Sequence, residues 1–163
     1  MSLISTAFEA LFEREKWKYQ KRDERTYTFG FRGKNNRYNF WAFISTSETS
    51  ISVYSIIPMS APEAKRLEIA DYLHRANYDM VIGNFELDMR DGEIRFKASA
   101  DYGDEEPHLD RLDKLIDCCL AMADKYCPGI GMIVFGNSTP EQAINEIEGP
   151  KTESNEDKSP ILQ

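Results

Sequence analysis

The sequence predicts an α+β domain in which helices pack on an antiparallel sheet of about five strands. Apolar residues alternate between positions 25 and 57, which indicates a three-stranded meander. A second alternating stretch surrounds Asp91-Gly92 and indicates a separate hairpin. Segments with helical spacing lie before, between and after these strands. The predicted order is α-β-β-β-α-β-β-α, with a further helix where the last helical segment is interrupted.

The first helical segment covers residues 5–15. Thr6 and Glu9 have the spacing of a capping box, in which a hydroxyl and a carboxylate satisfy free backbone N–H groups at a helix start. The apolar residues that predict its buried side are Phe8, Leu11 and Phe12.

The meander is predicted from two turns. The Asn-Asn pair at 35–36 suits a tight hairpin because asparagine tolerates positive φ, and this turn places Phe31 opposite Phe40. A second turn is expected at residues 48–49. Together these turns give the sheet one continuous apolar face.

The other face of the meander is unusual, because it also carries apolar residues where a sheet normally meets water. The side chains concerned are Trp41, Phe43, Tyr54 and Ile56. Two interpretations stay open: a helix of the same chain covers this face, or the face binds another molecule. Since interfaces are enriched in Trp, Tyr and Phe, these four residues are the candidate partner-binding site.

A second helix is predicted from a capping box at residues 60–63, which has a proline in its first turn. The helix is expected to extend to about residue 77. Its predicted buried stripe consists of Leu67, Ala70, Leu73 and Ala76.

The hairpin around Asp91-Gly92 is the clearest local signal, since this dipeptide favours a type I′ turn. A two-residue loop here places Leu87 opposite Phe96 on the apolar face. The other face then pairs opposite charges across the strands: Arg90 with Glu93, Asp88 with Arg95, and Glu86 with Lys97. A slip by one residue would bury these charges, so the alternation fixes which face is buried.

The C-terminal part is predicted to be helical. Acidic residues and a proline at 104–107 favour the start of a long helix that extends to Tyr126. Its predicted apolar side consists of Leu109, Leu112, Ile116, Cys119, Ala123 and Tyr126. Pro128-Gly129 is expected to interrupt this helix. The apolar stretch 130–135 leaves both a strand and a short helix open.

The end of the chain is predicted to consist of a short helix and a polar tail. A capping box of Ser138 and Glu141 predicts a last helix that ends near residue 148. We expect a single domain over residues 1–149 and a disordered tail over residues 150–163, because the tail is polar in composition.

Composition and charge restrict the classes of partner. The 163 residues are 41% hydrophobic, which supports a core without cross-links. The net charge of −8 repels phosphate backbones and anionic lipid, so we expect neither nucleic acid nor a membrane as partner. The densest basic stretch, residues 14–25, is interrupted by acidic residues.

The cysteines and the N-terminus predict a cytoplasmic protein. Three cysteines, Cys118, Cys119 and Cys127, are an odd number without the spacing of a disulfide framework or a metal site. The N-terminus lacks the pattern of a signal peptide, and no stretch approaches the ~20 apolar residues of a membrane helix. Cys118 is the better candidate for a reactive thiol, since Cys119 shares the apolar side of the helix.

Several short sequence segments, spread over residues 5–148, resemble the YbjN family of bacterial domains. They are Asn77-Tyr78-Asp79, Gly83-Asn84-Phe85-Glu86-Leu87-Asp88, Asp91-Gly92-Glu93-Ile94-Arg95-Phe96, Ala123-Asp124-Lys125-Tyr126 and Ser138-Thr139-Pro140-Glu141-Gln142-Ala143-Ile144. The resemblance implies the α+β fold of type III secretion chaperones, small acidic proteins that commonly dimerise and hold client proteins. It also implies a role in sensory transduction, and it brings no catalytic signature.

The leading functional hypothesis is a non-catalytic, protein-binding domain with a chaperone-like or regulatory adaptor role, and it is expected to form a homodimer. No catalytic residue, cofactor or metal ligand is predicted. His74 and His108 have no serine or cysteine at suggestive spacing, and the acidic residues of the second hairpin lie opposite basic ones. The alternatives are a sensor that binds a small ligand between sheet and helices and, third, an unrecognised enzyme.

Overall fold

The computed structural model describes residues 1–149, and the expected tail over 150–163 lies outside the described residues. The helices are α1 (Leu3–Glu15), α2 (Arg66–Asn77), α3 (Leu109–Val134) and α4 (Pro140–Glu148). The strands are β1 (Tyr19–Lys21), β2 (Thr26–Arg32), β3 (Arg37–Ile44), β4 (Ser50–Ile56), β5 (Asn84–Leu87) and β6 (Ile94–Asp101). All neighbouring strands are antiparallel, in the spatial order β1-β2-β3-β4-β6-β5. The predicted α+β class is confirmed, with six strands instead of about five in the described residues.

The additional strand is β1, which pairs with β2 at one edge of the sheet. Its three residues are all exposed, so it shows none of the apolar alternation that reveals a strand. Lys16 precedes it in a left-handed conformation with φ of 57°, which ends α1 and turns the chain back along the sheet.

Three helix starts differ from the predicted capping boxes. α1 begins two residues early, because the Ser2 hydroxyl accepts the Ser5 N–H at 3.1 Å. The proline-containing segment before α2 forms a short 3-10 turn, Glu63–Lys65, without a side-chain cap. The last helix does have a capping box, formed one residue later than predicted by Thr139 and Gln142.

Each hairpin turn is centred one residue earlier than predicted, which moves the strand pairing by two residues. Phe40 therefore lies opposite Phe29, and Phe96 lies opposite Phe85. The β3–β4 turn shows the same displacement, with positive φ at Glu48. A shift of two residues keeps every side chain on its predicted face, because side chains alternate with a period of two.

The β5–β6 hairpin forms one of its three predicted charge pairs. Glu86 lies 2.8 Å from Lys97 as predicted, and its other oxygen accepts from Arg95 at 2.6 Å. Asp88 instead binds Arg90, at 2.7 Å, because the turn is wider than two residues. Gly92, with φ of 82°, occupies this turn, and a Cβ there would lie 2.1 Å from a backbone oxygen of the segment before α2.

The prediction that Pro128-Gly129 ends the long helix is wrong, since α3 continues through both residues to Val134. Proline removes the N–H that would bind the carbonyl of residue 124. Asn35 replaces that donor, because its Nδ2 lies 3.0 Å from the Asp124 carbonyl oxygen. Gly129 allows the Tyr72 hydroxyl to pack on the helix, where a Cβ would lie 2.1 Å from it. The stretch 130–135 is therefore mostly the last turn of α3.

The helices cover one face of the sheet. Phe8 and Phe12 of α1 pack their rings on Phe29, with centroids 5.9 and 4.9 Å away. Cys119 of α3 lies 3.4 Å from the carbonyl oxygen of Val53. The predicted α2 stripe is partly wrong, and its buried residues are Ile69, Tyr72, Leu73 and Ala76. Leu67 is 78% exposed because α2 turns it away from the sheet. In α3, Leu109 is half-buried, and Leu115, Cys127, Gly129, Ile130 and Ile133 extend the buried side.

Candidate protein interface

The described helices leave the second face of the sheet uncovered. Along β3, buried and exposed residues alternate strictly, and the exposed set contains Trp41 and Phe43. Their exposed fractions are 37% and 41%. Tyr54 lies directly opposite Trp41 on β4, and Ile56 follows on the same face, both half-buried. We call this surface the open face. Cover by a helix of the same chain, one of the two sequence interpretations, does not occur within residues 1–149.

The aromatic residues of the open face form one ordered cluster. The rings of Trp41 and Phe43 stack with centroids 5.8 Å apart and an angle of 7° between their planes. Tyr54 meets Phe43 edge to face at 5.8 Å. The Arg95 guanidinium lies over the Tyr54 ring, 4.4 Å from its centre. The four predicted partner-binding residues are thus brought together on one sheet face, three of them as contacting rings.

Glu86 holds the charged side of the open face in place. Partial burial opposes ionisation of this carboxyl, but hydrogen bonds from Lys97 and Arg95 outweigh that effect and lower its pKa. Because Glu86 stays ionised, Arg95 is fixed between a carboxylate and the Tyr54 ring. The aromatic cluster is therefore supported from the β5–β6 side.

The two edges of the sheet differ in their availability to another strand. At the β5 edge, the Asn77 side chain accepts the Phe85 N–H at 2.6 Å and donates to the Phe85 carbonyl at 3.1 Å. This amide takes the place of a neighbouring backbone, so it blocks strand addition there. At the other edge, β1 pairs with β2 only from Tyr27 to Phe29. Within residues 1–149, the edge that stays open to an added strand is therefore the β1 edge.

The residues considered for chemistry do not converge. His74 and His108 are both exposed, on α2 and at the start of α3. Cys118 is half-buried, and its burial raises the pKa of the thiol, which lowers its reactivity at neutral pH. Within residues 1–149, no three His, Cys, Asp or Glu side chains are grouped as a metal site would require. In the same part of the chain, every helix is too short or too polar to cross a membrane.

Sequence reasoning missed two residues that shape the domain, Asp124 and Asn77. The Asp124 carboxylate accepts the N–H groups of Lys34, Asn35 and Asn36 at 2.8, 2.9 and 3.3 Å, and the Tyr38 hydroxyl at 2.9 Å. It therefore positions the β2–β3 turn, which explains why neither asparagine there needs positive φ. Both missed residues lie in the sequence segments that carry the family resemblance. The resemblance is the sequence signal that could have identified them.

Comparison with known proteins agrees with that resemblance. No curated protein matches the chain. The family model named YbjN, described as "putative bacterial sensory transduction regulator", matches residues 5–132. The family is thus described by a regulatory role and not by an enzymatic activity. The match covers more than half of the sequence and contains both the meander and the hairpin, so this chain belongs to the YbjN family.

Proposed function

We propose that this chain is a cytoplasmic, non-catalytic regulatory module that acts by binding another protein through its open face. The observation that carries the proposal is the exposed cluster of Trp41, Phe43 and Tyr54 on a face that the described helices leave uncovered. The family description of a regulator supports the same role.

The energetics of the cluster suit an interface. Full burial of a large apolar side chain contributes about 1.5–3 kcal/mol. Trp41 and Phe43 are each about 40% exposed, so covering them contributes about 1 kcal/mol each to binding. Their rings are already stacked, which reduces the entropy lost when a partner orders them.

The partner in this proposal is either a different protein, which is a client or a regulated protein, or a second copy of this chain, which gives a homodimer. Two measurements distinguish these partners. Light scattering of the purified protein reports a homodimer, whereas a client requires capture from the native cell. The small-ligand alternative stays a prediction.

The test compares Trp41→Ala/Phe43→Asp with the wild type and with Leu67→Asp. Leu67 is 78% exposed on α2, so the control also exchanges an exposed apolar residue for a charge. We expect the double variant to lose self-association, or to lose proteins that both the wild type and the control retain, as measured by light scattering and quantitative mass spectrometry.

Circular dichroism and urea unfolding are used to test whether the double variant is folded. Trp41→Ala alone serves as a milder variant if it is not. Identical mass in solution and identical captured proteins for all variants would show that the open face is not the binding surface.

A further inference from the structure

Charge is distributed very unevenly along the chain. Residues 14–37 contain nine Lys or Arg and three Asp or Glu, which gives this segment +6, whereas the whole chain carries −8. The remainder therefore carries −14. The segment comprises β1, β2 and the β2–β3 turn, so the positive charge is concentrated at one edge of the sheet.

The fold divides these cations between the two faces. Arg14 and Lys21 lie on the helix side, where Arg14 binds Asp110 at 2.9 Å and Lys21 binds Glu9 at 2.7 Å. Four others belong to the open face by their register or by the groove that they line: Lys18, Arg22, Arg32 and Arg37.

Within residues 1–149, the four cations on the open face lack carboxylate partners. Among the residues that the structure describes, none of them forms an ion pair within 4.0 Å. The Arg22 guanidinium donates to the neutral hydroxyl of Thr28, at 3.0 Å. Arg32 and Arg37 even lie directly opposite each other on β2 and β3. Like charges in that position destabilise a sheet, and an anionic partner would remove the repulsion.

A groove on the open face brings two of these cations, Lys18 and Arg22, next to Trp41 of the aromatic cluster. The groove extends from β1 across β2 to β3, and Gly30, opposite Asn39 on the same face, adds no side chain there. The side chains around it are Lys18, Gln20, Arg22, Thr28, Asn39 and Trp41. An ammonium, a guanidinium, two amides and a hydroxyl thus offer donors beside an indole ring. This combination suits carboxylates that lie next to an apolar or aromatic side chain.

From this geometry we infer that the partner's docking segment is an acidic peptide that carries aromatic or apolar residues. Its carboxylates bind Lys18 and Arg22 in the groove, and its rings cover Trp41 and Phe43. The inference rests on the proposed function and adds the chemistry of the partner. Single-stranded RNA would present anions and rings to the same groups, but it carries a charge on every nucleotide. The acidic remainder of the molecule therefore repels it more strongly than a peptide in which acidic residues alternate with apolar ones.

The test uses fluorescein-labelled random copolymer of glutamate and tyrosine as the probe and fluorescence anisotropy as the measurement. We expect binding that weakens with added salt and that drops by about tenfold or more in Lys18→Glu/Arg22→Glu, the equivalent of about 1.4 kcal/mol. Lys114→Glu/Lys125→Glu is the matched control. It makes the same change in net charge on α3, where salt screens its effect beyond about 10 Å.

Two probes of different chemistry complete the experiment. A lysine–tyrosine copolymer is expected not to bind, and labelled oligouridylate is expected to bind more weakly than the acidic copolymer. Tighter binding of oligouridylate, or equal affinity of Lys18→Glu/Arg22→Glu and the control for the acidic copolymer, overturns the inference. If the groove variant also retains every captured protein while Trp41→Ala/Phe43→Asp loses them, the acidic partner is excluded and the protein-binding function stands. If neither variant loses any captured protein, both the acidic partner and the protein-binding function of the open face are excluded.

Discussion

The side chain of Asn35 donates a hydrogen bond, 3.0 Å long, to the main-chain carbonyl of Asp124, the carbonyl that Pro128 leaves without its helical partner. A turn residue of the sheet therefore completes the backbone hydrogen bonding of the long helix. This contact explains how α3 continues where the sequence predicts that it ends.

The first prediction is a double-mutant cycle on this contact. Asn35→Ala should lower the free energy of unfolding by about 1 kcal/mol in the wild-type background. In a Pro128→Ala background the new N–H binds the same carbonyl, so Asn35→Ala should cost close to nothing. Urea unfolding measures both differences, and a coupling energy of about 1 kcal/mol is expected. An equal cost in the two backgrounds would contradict the replacement of one donor by the other.

The second prediction concerns the Asp124 carboxylate. Asp124→Asn should lower the free energy of unfolding by about 2 kcal/mol at pH 7, because the negative charge is lost and an NH2 donor replaces one of the two acceptor oxygens. Those oxygens accept from three backbone N–H groups and from the Tyr38 hydroxyl. Partial burial raises the pKa of Asp124, but these bonds outweigh burial, and its folded-state pKa lies below the ordinary value of 3.8.

The sign of the pH dependence follows from that direction. A carboxyl with a lowered folded-state pKa contributes stability that is present above its unfolded-state pKa and is lost as pH falls through the folded-state pKa. The difference between the wild type and Asp124→Asn should therefore be constant near neutral pH and shrink in acid. A difference that is independent of pH down to about pH 2 would attribute the loss to packing alone.

The third prediction concerns Ser55, which is buried on the core face of β4. Its hydroxyl has no hydrogen-bond partner among the described residues. Ser55→Ala should therefore raise the free energy of unfolding by about 1 kcal/mol, because an unsatisfied buried hydroxyl is removed. Ser52→Ala on the same strand is the control. Ser52 lies on the open face and shares a 2.8 Å hydrogen bond with Ser99, so its replacement should not stabilise the protein. Destabilisation by Ser55→Ala would indicate that the hydroxyl is satisfied in solution.

The fourth prediction tests the blocked edge of the sheet. Asn77→Ala removes the amide that binds Phe85 and should lower the free energy of unfolding by about 1–2 kcal/mol. It should also increase concentration-dependent association, measured by light scattering, because the β5 backbone becomes available. Asn145→Ala, on the exposed side of α4, is the control. The interpretation is wrong if association is the same in both variants.

The sequence predicted the faces of the sheet well and its register poorly, because faces and register depend on different interactions. Side-chain alternation determines which residues are buried, so Phe40 and Phe96 were assigned to the core face correctly. Pairing depends on where each turn is centred, and that is determined here by tertiary contacts. Asp124 positions the β2–β3 turn, and the residue lies 86 positions away from Tyr38 in sequence.

The open face also shows what alternation alone does not predict. Alternation placed Trp41 and Phe43 together on one side, but it did not show whether a helix would cover them. The basic groove was missed because its members come from separate strands, and Arg22 and Asn39 look unrelated in sequence. Only the pairing of β1, β2 and β3 places them on the same surface.

A final consequence follows from the amide of Asn77. Sheets with two free edges can polymerise, because each added molecule presents another edge to the next. Within residues 1–149, this sheet offers a strand on the β1 side, since Asn77 occupies the other side. Two molecules that join through β1 would form a sheet that ends on both sides in a closed edge. Growth into a fibre would then stop at the first step, since neither outer edge accepts another strand.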